Sequence, residues 1–214
     1  MLIFFVRHGL TDWNIQRRFQ GTCDVPLNEA GLEQAHIAAS RCAQLGLERI
    51  YHGTLLRAAQ TAQAIGDVTG APLFPCSGFN EVCLGALQTL NHEQAKAKYP
   101  EAYAQYFADR VNAAPPGGES LLQVQQRALA ALAEIEKDAA GCERIAIVSH
   151  GALLKTLLGA IAGIPLEHFA RFDVSNGSIS VIESSNGARR LITLNSMVHF
   201  GDPYAQMAQT KLLI

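Results

Sequence analysis

Two stretches of the sequence end in the same way. Residues 4–9, FFVRHG, and residues 146–151, AIVSHG, each run from apolar side chains into a histidine followed by a glycine. In the first, Arg7 stands directly before His8; the second closes on His150-Gly151. Guanidinium groups fork onto the oxygens of anions, and an imidazole can contact the same group. A third cation, Arg57, lies in GTLLRAAQTAQAI (53–65), where Thr54 reads as a helix cap. That places Arg57 in the first helical turn, beside the positive end of the dipole, an unfavourable seat unless an anion is near. Singly, each of these residues is as readily structural. Together they describe an anion site made of two arginines and two histidines.

Such a site needs elements that bring distant residues together. LIFFV (2–6) and RIAIVSH (144–150) are short continuous apolar runs, and RIYHG (49–53) is a weaker one. They read as strands buried on both faces of a parallel sheet. Helical patterns fill 31–45, 54–69 and 120–139, the last with Leu121, Val124, Ala128, Leu132 and Ile135 on one face. Its start is marked by the capping box Ser120–Gln123 after Pro115-Pro116-Gly117-Gly118, and its end by Gly141. A further apolar helix follows Leu153, and SISVIESSNGARRLITL alternates around Asn186-Gly187 as an antiparallel hairpin. The expectation is an α/β fold, a three-layer α/β/α sandwich with a mostly parallel central sheet and an antiparallel edge, forming one domain over 1–214. Residues at about 88–118, polar and tyrosine-rich, read as a small helical insertion over the active site. Tyr99, Tyr103, Tyr106 and Phe107 within it have the spacing of a packing stripe. Ligands of such sheets bind at the carboxyl ends of the strands, which is where both histidines fall.

Composition sets the partners. With 214 residues, 49% apolar, 17% charged and a formal net charge of −2, the chain has no overall attraction for nucleic acid or an anionic membrane. Any anion must meet a local cluster. Five scattered cysteines without a C-x-x-C pair fit reduced thiols. MLIFFV turns polar at Arg7, too soon for a signal peptide, and no apolar run approaches the roughly 18 residues of a membrane span. The expectation is a cytoplasmic protein, and a homodimer is compatible with it.

RHGLTDWNIQRRFQGTCDVPLNEAGLEQA (7–35) resembles the histidine phosphatase superfamily, the phosphoglycerate mutase-like family, nearly residue for residue. The resemblance continues through LLRAAQTA (55–62), PGGES (116–120), SHG (149–151) and LNSMVHF (194–200). It implies that His8 is the nucleophile that takes the phosphoryl group. It implies further that Arg7, Arg57 and His150 cradle the phosphate, that Asn14 is an additional ligand, and that Glu81 in FNEVCLG is the general acid. Gln20, Gly21 and Gly151 join the substrate-binding set. Phosphoryl transfer asks chiefly for positioning and charge stabilisation, which this set supplies with no metal and no cofactor. The cations should keep His8 neutral, as attack requires. They should also hold Glu81 ionised until a bound phosphate dianion favours its acid form. A metal among His8, His52 and His150 is disfavoured by the neighbouring arginines.

Leu10 stands where the family often has Glu, and His52 and Gly53 where it often has Ser. Gly85 is followed by Ala86-Leu87 in place of the W-E-G of many phosphatases. The mutases of the family carry E-R-H-Y-G at the acid, paired arginines in the insertion and Asn after the second His-Gly. This chain has NEVCLG, Arg110 without a basic neighbour, and Ala152. The expectation is a phosphatase of a small phosphorylated metabolite, with phosphoglycerate mutase the alternative and a non-catalytic phosphate-binding module less favoured.

Overall fold

The computed structural model describes residues 1–185 and 187–201. Six strands, β1 (Leu2–Arg7), β2 (Arg49–His52), β3 (Leu73–Pro75), β4 (Arg144–Ser149), β5 (Ile179–Ser185) and β6 (Ala188–Ser196), form one sheet in the order β3-β2-β4-β1-β5-β6. β3, β2, β4 and β1 are mutually parallel, while β5 and β6 run antiparallel at one side. β3 is the strand the sequence pattern did not reveal: it has three residues, none of them buried.

Among the described residues seven α-helices surround the sheet: α1 (Asp12–Ile15), α2 (Glu29–Cys42), α3 (Leu56–Thr69), α4 (His92–Lys98), α5 (Pro100–Ala108), α6 (Leu121–Asp138) and α7 (Gly151–Ile161). Strand side chains alternate between two cores. Ile3, Phe5, Ile145 and Ile147 pack with Val124, Leu132, Leu153 and Leu157 of α6 and α7. Phe4, Val6, Ala146 and Val148 pack with Ala35, Ala38, Ala62 and Ile65 of α2 and α3. The period-two pattern and the two helix pairs thus make the three layers together.

The capping box at Ser120 is present, with Gln123 returning the bond to the Ser120 amide. Thr54 does not cap α3. Leu55 holds that position without a side-chain bond, the Leu56 amide donates to Asp24 Oδ1 at 2.6 Å, and Thr54 pairs with Asn80. The hairpin joins β5 to β6; Gly187 has φ 78°, and Asn186 lies outside the described residues. Between 88 and 118, Tyr106 is buried in the core and Phe107 packs on Phe19, Tyr103 and His92, so the aromatic stripe is packing. Among the described residues no helix is long and apolar enough to cross a membrane.

Candidate active site

Register explains why the two histidines meet. Arg7 at the end of β1 pairs with Ser149 at the end of neighbouring, parallel β4, so His8 and His150 leave the sheet side by side. Their ring centroids are 5.1 Å apart, and both are buried. The turn after β1 is held by Asn176, whose amide donates to the carbonyls of His8 and Gly9, and by the Gly177 amide, which donates to Arg7. A Cβ on Gly9 would lie 2.2 Å from the Gly31 carbonyl oxygen, so the loop and the start of α2 touch through bare backbone. Gly151 makes room for a side chain instead. A Cβ there would stand 3.1 Å from the centre of the Arg7 guanidinium, which lies flat against the start of α7.

His8 Nδ1 is 2.6 Å from the Gly9 carbonyl oxygen. A carbonyl only accepts, so Nδ1 carries the proton and Nε2 holds the free electron pair. Burial, then Arg57, then Arg7 hold the His8 pKa well below its usual 6.5. His150 is likewise held well below 6.5, by burial first and then by His8, Arg57 and Arg7, and neither of its ring nitrogens has a partner among the described residues.

Arg57, 1% exposed, is aimed by the 20–24 loop: Nη1 donates to the Cys23 carbonyl at 2.8 Å and Nη2 to that of Gly21 at 2.7 Å. Arg7 Nη1 donates to the Val174 carbonyl at 2.6 Å. Among the described residues neither guanidinium has an acidic partner within ion-pair distance, and the Nε of each is buried without a bond. Burial lowers the pKa of both. Two cations, one electron pair and an unpartnered imidazole therefore converge where a tetrahedral dianion would satisfy them all.

Glu81 reaches the site from the loop after β3. Its carboxylate accepts from the amides of Ala152 and Leu153, each at 3.0 Å, and from that of Val82 at 2.9 Å. It therefore caps α7, at the helix end that follows His150. Its charge is the first electrostatic influence on both Arg7 and Arg57. This loop is fixed by a residue that sequence reasoning missed. Arg127 on α6 donates to the carbonyls of Gly78, Asn80 and Glu81 and pairs with Glu119, whose other oxygen takes the Cys83 amide. The signal was a cation between Val124 and Ala128 on an otherwise apolar helix face. Asn176 and Asp24 were also missed as positioning residues; Asp24 lies within the QGTCDVPL stretch (20–27) of the resemblance, which was the available signal, whereas nothing local marks Asn176.

Asn14 Oδ1 accepts from the Thr11 amide in the capping box of α1, leaving its amide nitrogen as a donor. Gln20 accepts from the Thr11 hydroxyl and Gly21 from Arg57, so both brace the cradle. His52 Nδ1 donates to its neighbour, the Gly53 carbonyl, at 2.8 Å, a structural bond. Among the described residues no group of three or more His, Cys, Asp or Glu is arranged to hold a metal ion.

The family model of the histidine phosphatase superfamily (branch 1) matches residues 3–197. The chain belongs to this superfamily. A probable phosphoglycerate mutase, GpmB, of Escherichia coli O1:K1 is 34% identical over 181 residues, 85% of this chain and 84% of that protein. Among solved structures of the superfamily fold, Bacillus stearothermophilus YhfR superposes with a TM-score of 0.87 at 32% identity, covering 92% of this chain and 98% of YhfR. A mycobacterial glucosyl-3-phosphoglycerate phosphatase solved with VO3 gives a TM-score of 0.81 at 30% identity, over 91% and 98%. This histidine phosphatase superfamily member is accordingly an enzyme of the phosphatase and mutase class.

Proposed function

We propose that the protein is a phosphomonoesterase that passes the phosphoryl group of a small phosphorylated metabolite to His8 and then to water, with no metal in either step. The observation that carries this is the bond from His8 Nδ1 to the Gly9 carbonyl, which leaves Nε2 unprotonated beside His150 and two arginines that have no acidic partner within ion-pair distance among the described residues. In the first step Nε2 forms a bond to phosphorus while the ester P–O bond breaks. The leaving oxygen takes a proton from Glu81. Arg7, Arg57, His150 and the Asn14 amide bear the charge on the non-bridging oxygens. In the second step Glu81 accepts a proton from the attacking water as the P–N bond breaks, releasing inorganic phosphate. Gln20, Gly21 and Gly151 shape the seat, residues at about 88–118 act as its cap, and residues 1–214 work as one catalytic domain. A cytoplasmic setting belongs to the same reading.

Incubating the protein with a panel of phosphomonoesters and EDTA tests this. The expected outcome is phosphate release and a labelled phosphohistidine, both absent in His8→Ala. Full activity in His8→Ala, or loss on chelation restored by a metal, would overturn it. The likeness to GpmB favours a second reading, phosphoglycerate mutase, which predicts isomerisation of phosphoglycerate faster than phosphate release. NEVCLG at the acid and Ala152 after the second His-Gly favour the phosphatase.

A further inference from the structure

We propose that Asn195 and His199 are positioning residues for the nucleophile: by fixing the 174–178 loop they hold the Gly9 carbonyl where it keeps the His8 proton on Nδ1. The nucleophilic role of His8 rests on the phosphatase reading above. The 174–178 loop is the template on which Arg7-His8-Gly9 lies. The Arg7 amide donates to the Ser178 carbonyl at 3.1 Å, and the Gly177 amide donates to the Arg7 carbonyl at 3.0 Å. Asn176 Nδ2 donates to the carbonyls of His8 at 2.9 Å and Gly9 at 3.2 Å, and Arg7 Nη1 donates to that of Val174. The Gly9 oxygen thus receives both Asn176 Nδ2 and His8 Nδ1. A carbonyl held in that place selects the tautomer with its electron pair on Nε2.

LNSMVHF (194–200), at the end of β6 and in the short 3₁₀ turn Val198–Phe200 after it, holds this loop in turn. Asn195 Oδ1 accepts from the Ser175 amide at 2.6 Å, and its Nδ2 donates to Ser175 Oγ at 3.3 Å. Its own amide donates to Ser180 Oγ at 3.0 Å. His199 Nε2 is 2.9 Å from the Gly177 carbonyl oxygen and, since a carbonyl only accepts, donates to it. Phe200 closes on the same residue: Gly177 has φ 74°, and a Cβ there would lie 2.7 Å from Phe200 Cζ. The bonds from Asn195 and His199 therefore fall on either side of Asn176, the residue that sets the Gly9 carbonyl.

β6 departs from regular pairing where these contacts arise. Ile179 pairs with Ser196 and Val181 with Thr193, three steps on β6 against two on β5, and within this bulge Asn195 has φ 52°. A bulge re-aims a side chain at the expense of ladder bonds, and left-handed backbone is unfavourable for a residue with a side chain, though less so for Asn. A regular strand would serve the sheet better. What the bulge gains is the pair of bonds from Asn195 to Ser175, beside the loop that carries the nucleophile.

Two readouts on the full chain test this. Nitrogen NMR of ring-labelled histidines at neutral pH, with the His8 signals assigned by their loss in His8→Asn, reads the tautomer. Rapid quench with p-nitrophenyl phosphate reads the first-order rate of His8 phosphorylation, which is independent of the fraction folded. Wild-type His8 should be protonated at Nδ1. In His199→Leu, and in Asn195→Gly, which allows the left-handed backbone and removes only the side chain, the signals should move toward the Nε2-protonated tautomer. The phosphorylation rate should fall with them by about 10-fold or more, the scale of a small misplacement of a reacting group. His199→Gln, whose amide can reach the same carbonyl, should keep most of both. Arg189→Gln, which breaks the ion pair with Glu136 at the other end of the hairpin, should cost stability and move neither readout. Either readout unchanged in folded His199→Leu and Asn195→Gly, or an equal change in Arg189→Gln, overturns the positioning role. A wild type that forms no phosphohistidine and releases no phosphate would instead overturn the phosphatase reading, and the tautomer spectra alone would then decide the positioning role.

Discussion

Acidifying the protein from pH 7.5 to 5.5 should weaken the fold through His8 and His150. Both are buried and held neutral, with pKa values well below 6.5 caused by burial first and then by neighbouring charges: Arg57 and Arg7 for His8, and His8, Arg57 and Arg7 for His150. In the unfolded chain each titrates near 6.5. Above that value both states are neutral and nothing is lost. Below it the unfolded chain takes up protons that the folded protein refuses, so stability falls with pH until the folded values are reached. At pH 5.5 the cost is at most RT ln(1 + 10), about 1.4 kcal/mol for each histidine and about 2.8 kcal/mol for the two. Against a total stability of about 5–15 kcal/mol this is readily seen in urea unfolding curves. Glu119 and Glu136, whose pKa values are lowered, contribute stability that is present above the usual carboxylate range and lost only below this window. His92 and His199 are also held low by burial and add to the wild-type slope, so the assignment needs a variant. A His8→Asn/His150→Asn protein should lose less stability than wild type between the two pH values, by up to about 2.8 kcal/mol. Equal losses in the two proteins would refute the reasoning.

Arg57→Lys should lower kcat/KM by about 10²-fold or more while the protein stays folded, because one ammonium cannot bond both loop carbonyls and still fork onto phosphate; near-wild-type kinetics would remove Arg57 from the site. Glu81→Gln should slow phosphorylation of His8 by alkyl phosphates by about 10²- to 10⁴-fold and by p-nitrophenyl phosphate far less, read by rapid quench; equal slowing would mean another acid serves the leaving group. Arg127→Gln should reproduce that leaving-group contrast in weaker form, since it loosens the Glu81 loop without touching the cradle. Equal loss on both substrates would make Arg127 merely structural.

The placing of the two histidines could be read from the sequence because strand ends announce themselves, whereas Asn14 and Glu81 were named only through the family resemblance. Apolar runs that stop at His-Gly gave both histidines, and their register in adjacent parallel strands is what brings them together. The capping box at Ser120 is local chemistry and stands as read. Thr54 failed as a cap because the Leu56 amide found Asp24, a residue 32 positions away whose bond no window around 54 could contain. β3 escaped for a related reason: three half-exposed residues at a sheet edge make no periodic pattern, and only pairing with β2 defines them. Arg127 is the instructive case. It looks like a surface cation on α6, and its function in holding the 78–81 loop emerges only when that loop is folded against it.

Glu81 shows how these long-range contacts bear on mechanism. The amides at a helix start are a natural seat for phosphate, yet here those of Ala152 and Leu153 hold the Glu81 carboxylate. In the proposed reaction a phosphate dianion enters the cradle next to the same helix end, bringing a second negative charge beside the first. Moving the Glu81 side chain off the cap relieves the repulsion and brings its carboxyl toward the leaving oxygen of the proposed reaction. Arg127 and Glu119 hold the main chain of residues 78–83, so the backbone gives little and the adjustment falls on the Glu81 side chain. In the proposed reaction, phosphate binding and the placing of Glu81 toward the leaving oxygen are then one event.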